Sequence, residues 1–226
     1  MMTTHREIKN LLYEQVARIG KAAASPKRLE LVELLCQGEK TVDTLARQAE
    51  LDVKSVSAHL KELKAARLVR ARKAGKFMHY RLADAAVAEF WVGLRVLAEG
   101  RLLELQEVVN EFVRDPQQVA PLDRKAVLSR AKQGDVVVID VRPAEEFEAG
   151  HLPFARSMPV SELKKRLNEL PRNKDIVAYC RGPFCLMAKD AVALLQKQGF
   201  RAGRIEDGVA EWRSAGYPVV SGAASP

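Results

Sequence analysis

Ile176-Val177-Ala178-Tyr179-Cys180-Arg181-Gly182-Pro183-Phe184-Cys185-Leu186 carries an apolar run directly into a short Gly-Pro loop with a cysteine at each end. The run reads as a buried strand over 176–179, and the apolar spacing after the loop predicts a helix from Leu186 to Gln198. A thiol placed between strand and helix faces converging backbone N–H groups, a setting that stabilises a thiolate. A cysteine pKa of about 8.5 can fall to roughly 3.5–7.5 in such surroundings. Cys180 is therefore the candidate nucleophile, and Cys185 is either a small residue tolerated at the loop end or a resolving thiol whose bond to Cys180 would need backbone movement.

Working outward, Val136-Val137-Val138-Ile139-Asp140 is a continuous β-branched run of the kind buried on both faces of a parallel sheet. Asp123 can cap a preceding helix that stops at Gly134. Helices are expected near Ser161–Leu170 and over Val209–Trp212, with a short strand around Ile205 and Trp212 in the core. Alternating strands and helices imply a parallel sheet with covering helices, and in open sheets of this kind sites form at strand C-terminal ends, where Cys180 lies.

The 226 residues suffice for two ordinary domains, and the polar, proline-bounded stretch Asp115–Pro121 reads as the linker. The domains are thus expected at 1–114 and 122–226, joined by 115–121. No window reaches the roughly 18 apolar residues of a membrane span. The N-terminus lacks the apolar core of a signal peptide, so a cytoplasmic location is the expectation. Three cysteines, Cys36, Cys180 and Cys185, are too few for a disulfide framework and suit a reducing compartment.

The formal charge of +8 becomes informative once it is located. Between residues 54 and 81, Lys54, Lys61, Lys64, Arg67, Arg70, Arg72, Lys73, Lys76 and Arg81 face the single acid Glu62, an excess equal to that of the whole chain. Concentration of this kind suits a phosphate-facing surface. Around it, Ser25-Pro26 starts a helix that ends at Gly38, and a second short helix covers Thr41–Gln48. After the turn 49–52, with Asp52 as cap, a third helix runs from Val53 to Ala65 and buries Val53, Val56, Leu60 and Leu63. Its outer face shows Lys54, Ser55, Ser57, Ala58, His59, Lys61 and Lys64, the small, polar and basic character of a recognition helix. Residues 68–72 and 77–82, joined by Lys73-Ala74-Gly75-Lys76, read as a hairpin that would place Arg70, Arg72, Lys73 and Lys76 on a DNA backbone. A long helix is expected from about Asp84 to Arg114. Its apolar face, with that of the first helix (Ile8, Leu11, Leu12, Val16, Ile19), calls for a homodimer interface.

Val56–Leu63, with Arg67-Leu68-Val69 through Tyr80-Arg81-Leu82, resembles the recognition helix and wing of the ArsR/SmtB family of winged-helix repressors. The resemblance implies a dimer that binds a palindromic double-stranded operator and releases it on a signal. Ala58 replaces the longer polar residue often found there, and Arg67 replaces the usual helix-ending glycine. Metal-sensing members carry paired cysteines where this chain has Glu39-Lys40-Thr41-Val42-Asp43-Thr44, and Asp84 and Glu89 have no histidine beside them in the long helix. Cys36 reads as core, His79 as a wing residue and His5 as part of the N-terminal end. The reading calls for no metal and no cofactor.

The second half resembles the rhodanese family. Asp140-Val141-Arg142-Pro143, Glu146-Phe147 and Gly150-His151-Leu152-Pro153 match its first signature, and Gly208, Trp212 and Gly216-Tyr217-Pro218-Val219 match its end. The resulting fold class is a mainly α winged helix-turn-helix followed by an α/β rhodanese-like parallel sheet with helices on both faces. The resemblance implies that Cys180 takes sulfur from thiosulfate, polysulfide or a persulfide donor and holds it as a persulfide. Backbone groups of Arg181, Gly182, Pro183, Phe184 and Cys185 form the loop, Arg181 adds positive charge, and Asp140 and Arg142 support the loop and sheet end. Phosphatase and arsenate-reductase relatives use a longer loop ending in arginine, which is absent here. Two functions stay open at this point. One is a repressor sensing sulfane sulfur; the other is primarily a thiosulfate or polysulfide sulfurtransferase whose winged helix serves dimerisation or localisation.

Overall fold

Side chains of Thr4, Thr41, Asp52 and Asp123 cap four helix starts in the computed structural model, which describes residues 4–118, 120 and 122–223. Helices α1 (His5–Ala23), α2 (Pro26–Cys36), α3 (Val42–Gln48) and α4 (Val53–Ala65) form the first layer, with strand β1 (Lys40–Thr41) ahead of α3. Thr41 and Asp52 accept from the backbone N–H groups of Thr44 and Ser55, which fixes the first turns of α3 and α4. Ser25 stands at the start of α2 without a side-chain cap bond, and Pro26 supplies the helical φ there. Leu31, Leu45, Val56, Leu60 and Leu63 are fully buried between these helices. Val53, expected inside, is 48% exposed because the first turn of α4 projects beyond that core.

Strands β2 (Val69–Ala74) and β3 (Phe77–Leu82) make the expected hairpin, and β1 adds to its edge through the pairs Lys40 with Tyr80 and Thr41 with His79. The resulting antiparallel order is β1-β3-β2. At the end of α4, Arg67 takes φ 60°, and the N–H groups of Leu68 and Arg67 close onto the carbonyls of Leu63 and Lys64 at 2.9 Å each. This is a Schellman ending with a non-glycine residue in the left-handed position.

The long helix expected over 84–114 is broken. Helix α5 (Ala85–Arg101) stops at Leu102, whose ψ of 107° is extended; α6 (Leu103–Val108) follows, then a π-helical turn, Val109–Val113. The Gln106 side chain donates to the Glu99 carbonyl at 2.6 Å and so occupies an acceptor that the break releases. Compact units divide at Trp91 and Val92, so 92–114 groups with the second half although the sequence reading assigned it to the first. Hydrogen bonds explain the grouping: Lys189 Nζ donates to the Phe112 carbonyl at 2.6 Å, Arg204 Nη2 to that of Val113 at 2.9 Å, and Arg114 pairs with Glu206 at 3.0 Å.

In the second unit, α7 (Arg124–Gln133) begins at the Asp123 cap and ends at Gly134, whose φ of 74° suits glycine. A parallel sheet follows in the order β5-β4-β6-β7, made of β4 (Val136–Asp140), β5 (Arg156–Ser157), β6 (Asp175–Tyr179) and β7 (Ala202–Arg204). Side-chain alternation divides its residues between two cores. Val137, Ile139, Ile176 and Ala178 pack with Leu163 of α9 (Val160–Leu163) and with Ala188, Val192 and Leu195 of α10 (Met187–Lys197). Val136, Val138, Val177 and Tyr179 pack with Val127, with Phe147 of α8 (Ala144–Ala149) and with Trp212 of α11 (Val209–Ser214). The single helix expected near 161–170 is instead α9 followed by a 3-10 turn, Leu167–Glu169. Gln118 and Ala120 bond to the outer edge of β7: the Ala120 N–H donates to the Arg204 carbonyl at 2.8 Å, and the Arg204 N–H donates to the Gln118 carbonyl at 2.6 Å.

Candidate active site and nucleic-acid interface

The loop Cys180–Cys185 leaves the end of β6 and enters α10. Cys180 is 3% exposed, and its Sγ lies 3.4 Å from the Cys185 carbonyl oxygen. The two thiols act on each other's proton affinity: Cys180 is pushed up by Cys185 and by burial, whereas Cys185 is lowered to about 7, chiefly by Cys180. Backbone N–H groups of Arg181 and Met187, and the Arg181 charge, add to the lowering. For Cys180, the lowering expected from the loop's backbone is opposed by the neighbouring sulfur and by burial. Both sulfurs are unbridged.

Arg181 does not reach freely over the sulfur. Its Nε and Nη2 donate to Glu146 Oε2 and Oε1 at 3.0 and 2.7 Å. Beneath the loop, Asp140 and Arg142 are fully buried and paired, with Arg142 Nε 2.9 Å from Asp140 Oδ1. Arg142 Nη2 also donates to the Gly150 carbonyl at 2.7 Å, and the Tyr179 hydroxyl donates to Asp140 Oδ2 at 2.5 Å while accepting from the Leu152 N–H at 3.1 Å. The network therefore grips the residue immediately before Cys180. Gly182 has φ +148° and packs against the Glu211 carboxylate; an added Cβ would lie 3.1 Å from Oε2. Pro183 and Phe184 complete the loop as half-buried residues.

Sequence reasoning quoted Glu146 only as part of a signature and overlooked Glu211 and Arg95. Glu211, three residues into α11, accepts from the Gly208 N–H at 2.9 Å, and Arg95 Nη2 lies 3.2 Å from its other oxygen. Burial pushes the Glu211 carboxyl up against the pull of Arg95. The Gly-x-x-Glu spacing at a helix start was the available sign for Glu211. Arg95 offered none, being 116 positions away in the chain.

In the first unit, Lys54, Ser57, Lys61 and Lys64 are exposed on α4, with His59 half-buried. Ser55 is occupied by the cap, its Oγ donating to Asp52 Oδ2 at 2.6 Å. On the hairpin, Arg70, Lys73 and Lys76 are exposed, whereas Arg72 is held by Glu39, Nε to Oε2 at 2.9 Å. That arginine keeps Glu39 below the usual carboxylate range, and His79 Nδ1 lies 3.5 Å from the same carboxylate.

Family models match over both halves: a bacterial regulatory protein, arsR family, over 25–71, and a rhodanese-like domain over 123–215. Over 222 residues the chain is 40% identical to the HTH-type transcriptional regulator Rv0324 of Mycobacterium tuberculosis, covering 98% of this chain and 97% of that one. The chain belongs to the ArsR family of transcriptional regulators, in the form that carries a rhodanese-like domain. The regulator's second half is also 30% identical over 105 residues to a sulfurtransferase of Allochromatium vinosum, covering 46% of this chain and 96% of that one. Its first half is 37% identical to a homodimeric winged helix-turn-helix DNA-binding domain of Mycobacterium bovis, at a TM-score of 0.42, covering 46% of this chain and 95% of that one. Among the described residues, no helix is long and apolar enough to cross a membrane.

Proposed function

We propose that this ArsR-type regulator binds an operator as a homodimer and that sulfane sulfur taken up at Cys180 changes that binding. The observation that carries the reading is the thiol pair of one loop, with the Cys180 Sγ buried 3.4 Å from the Cys185 carbonyl oxygen and the Cys185 thiol lowered to about 7, chiefly by its neighbour. As Cys180 attacks the outer sulfur of thiosulfate, its proton passes to Cys185 and the S–S bond of the donor breaks. Sulfite leaves, and a persulfide remains on Cys180. Cys185, deprotonated again, can attack the inner sulfur of that persulfide, forming a Cys180–Cys185 disulfide and releasing hydrosulfide. The loop must then rearrange, because Cys180 is buried and the present geometry directs its Sγ at a carbonyl. Exposed apolar side chains of α1 (Leu11, Leu12, Val16) and α5 (Phe90, Val96, Leu97) suit the dimer interface.

A second activity, turnover as a sulfurtransferase, is favoured by the near full-length match to the Allochromatium sulfurtransferase. Gel shift of the operator with and without polysulfide, beside thiocyanate formation from thiosulfate and cyanide, tests both. Release of DNA by polysulfide that is lost in Cys180→Ser supports the sensor. Robust turnover with no DNA affinity replaces it by the enzyme.

A further inference from the structure

The side chain of Arg95, on α5, is 4% exposed, and that of Glu211 is 5% exposed. Arg95 Nη1 donates to Glu99 Oε1 at 2.5 Å, Nη2 faces Glu211 Oε1 at 3.2 Å, and the guanidinium carbon lies 5.7 Å from the centroid of the Phe184 ring. A Cβ on Gly182 would lie 3.1 and 3.2 Å from the two Glu211 oxygens, and the Gly208 backbone held by Glu211 lies under Arg181: a Cβ on Gly208 would fall 2.3 Å from the Arg181 carbonyl oxygen. Three residues of the loop, Arg181, Gly182 and Phe184, therefore rest on a platform made by Gly208, Glu211 and Arg95.

We infer that Arg95 is a positioning residue for the Cys180–Cys185 loop, acting through Glu211 and Phe184, and that helix α5 is thereby part of the sulfur site. The physical reason is charge. An unpaired carboxylate buried against Gly182 would be costly in itself and would oppose a thiolate or persulfide anion in the same loop. Paired with Arg95, the same carboxylate becomes a neutralised acceptor that fixes Gly208 and leaves the loop's backbone N–H groups for sulfur. Any rearrangement of residues 181–184 must break these contacts or move the turn that carries Arg95, which gives the loop's chemical state a mechanical partner there. The inference rests on the sulfur reading above for its purpose, not for its geometry.

The test uses the full chain and four forms: wild type, Arg95→Lys, Arg95→Met and the double variant Arg95→Met/Glu211→Leu. Iodoacetamide labelling of Cys180 and Cys185, read by peptide mass spectrometry, reports loop geometry. Sulfur transfer from thiosulfate to cyanide gives kcat and KM. Arg95→Met is expected to change the labelling ratio of the two thiols and to lower kcat by about 10- to 100-fold with little change in KM, with Arg95→Lys lying between. The double variant, free of the unpaired buried charge, is expected to regain thermal stability but not kcat or the labelling ratio. Wild-type labelling and kinetics in Arg95→Met, or full kinetic recovery in the double variant, overturn the inference. If wild-type protein forms neither persulfide nor thiocyanate, the sulfur reading fails instead, and the labelling ratios still decide the role of Arg95.

Discussion

Arg181 and Glu146 are joined by a forked pair of hydrogen bonds, Nε to Oε2 at 3.0 Å and Nη2 to Oε1 at 2.7 Å. The Glu146 side chain is completely buried and that of Arg181 is 15% exposed, so little water screens the pair. The fork spans from the residue after Cys180 to α8. It holds the loop's first turn against the sheet end while leaving enough positive field to favour the Cys185 thiolate.

Arg181→Met removes the forked partner of a buried carboxylate and is expected to destabilise the chain by about 3 kcal/mol, measured by urea unfolding at neutral pH. Arg181→Met/Glu146→Leu should recover most of that loss. Equal stability of the single and double variants would show that the pair is not what anchors the loop.

Cys185 is depressed to about 7, below the ordinary thiol value of about 8.5, chiefly by its neighbour Cys180. A depressed acid binds fewer protons in the folded state than in the unfolded one over that interval. The Cys185 contribution to stability therefore grows as pH rises from about 7 to about 8.5 and is lost as pH falls through 7. Alkylation of Cys185 should show a midpoint near 7 that moves upward in Cys180→Ala. An unmoved midpoint in that variant would assign the lowering to the backbone instead.

Arg67 occupies the left-handed position at the end of α4, with φ 60°. Relief of about 1–2 kcal/mol of backbone strain exceeds the entropic cost of about 0.5–1 kcal/mol that glycine carries. Arg67→Gly should raise stability by about 0.5–1 kcal/mol and leave the helical circular dichroism unchanged. A lower unfolding midpoint would mean that the arginine side chain makes a compensating contribution.

On DNA, Lys73→Ala or Lys76→Ala should each reduce the slope of log affinity against log salt by about 0.9 if the residue contacts a phosphate. Arg72→Ala should change it less, because Glu39 already neutralises that guanidinium. Fluorescence anisotropy over a salt series distinguishes the three. An Arg72→Ala slope change equal to that of Lys73→Ala would show that DNA displaces Glu39.

Much of the fold was legible because short-range chemistry controls it. Helix α4 at Val53–Ala65, with its Asp52 cap, and helix α7 between Asp123 and Gly134 appear at the expected residues. Strands β1 and β5 have two residues each and no local signature; they exist through partners, Lys40 opposite Tyr80 and Arg156 opposite Ile139. The break at Leu102 was equally hidden. Residues 94–112 are adequate helix formers, and the redirected chain is held by distant bonds to Lys189 and Arg204.

The sequence by itself determined the two-part plan, the basic recognition surface, and a loop with a thiol at each end set between a buried strand and a helix. Backbone propensity, caps and alternation act over a few residues, so they can be read along the chain. Tertiary structure alone decided that burial and a second sulfur oppose the lowering of Cys180, that Arg181 and Arg72 are committed to Glu146 and Glu39, and that Arg95 lies beside Phe184. Ion pairing and proton affinity depend on burial and on partners brought together from distant positions, and those are properties of the folded chain.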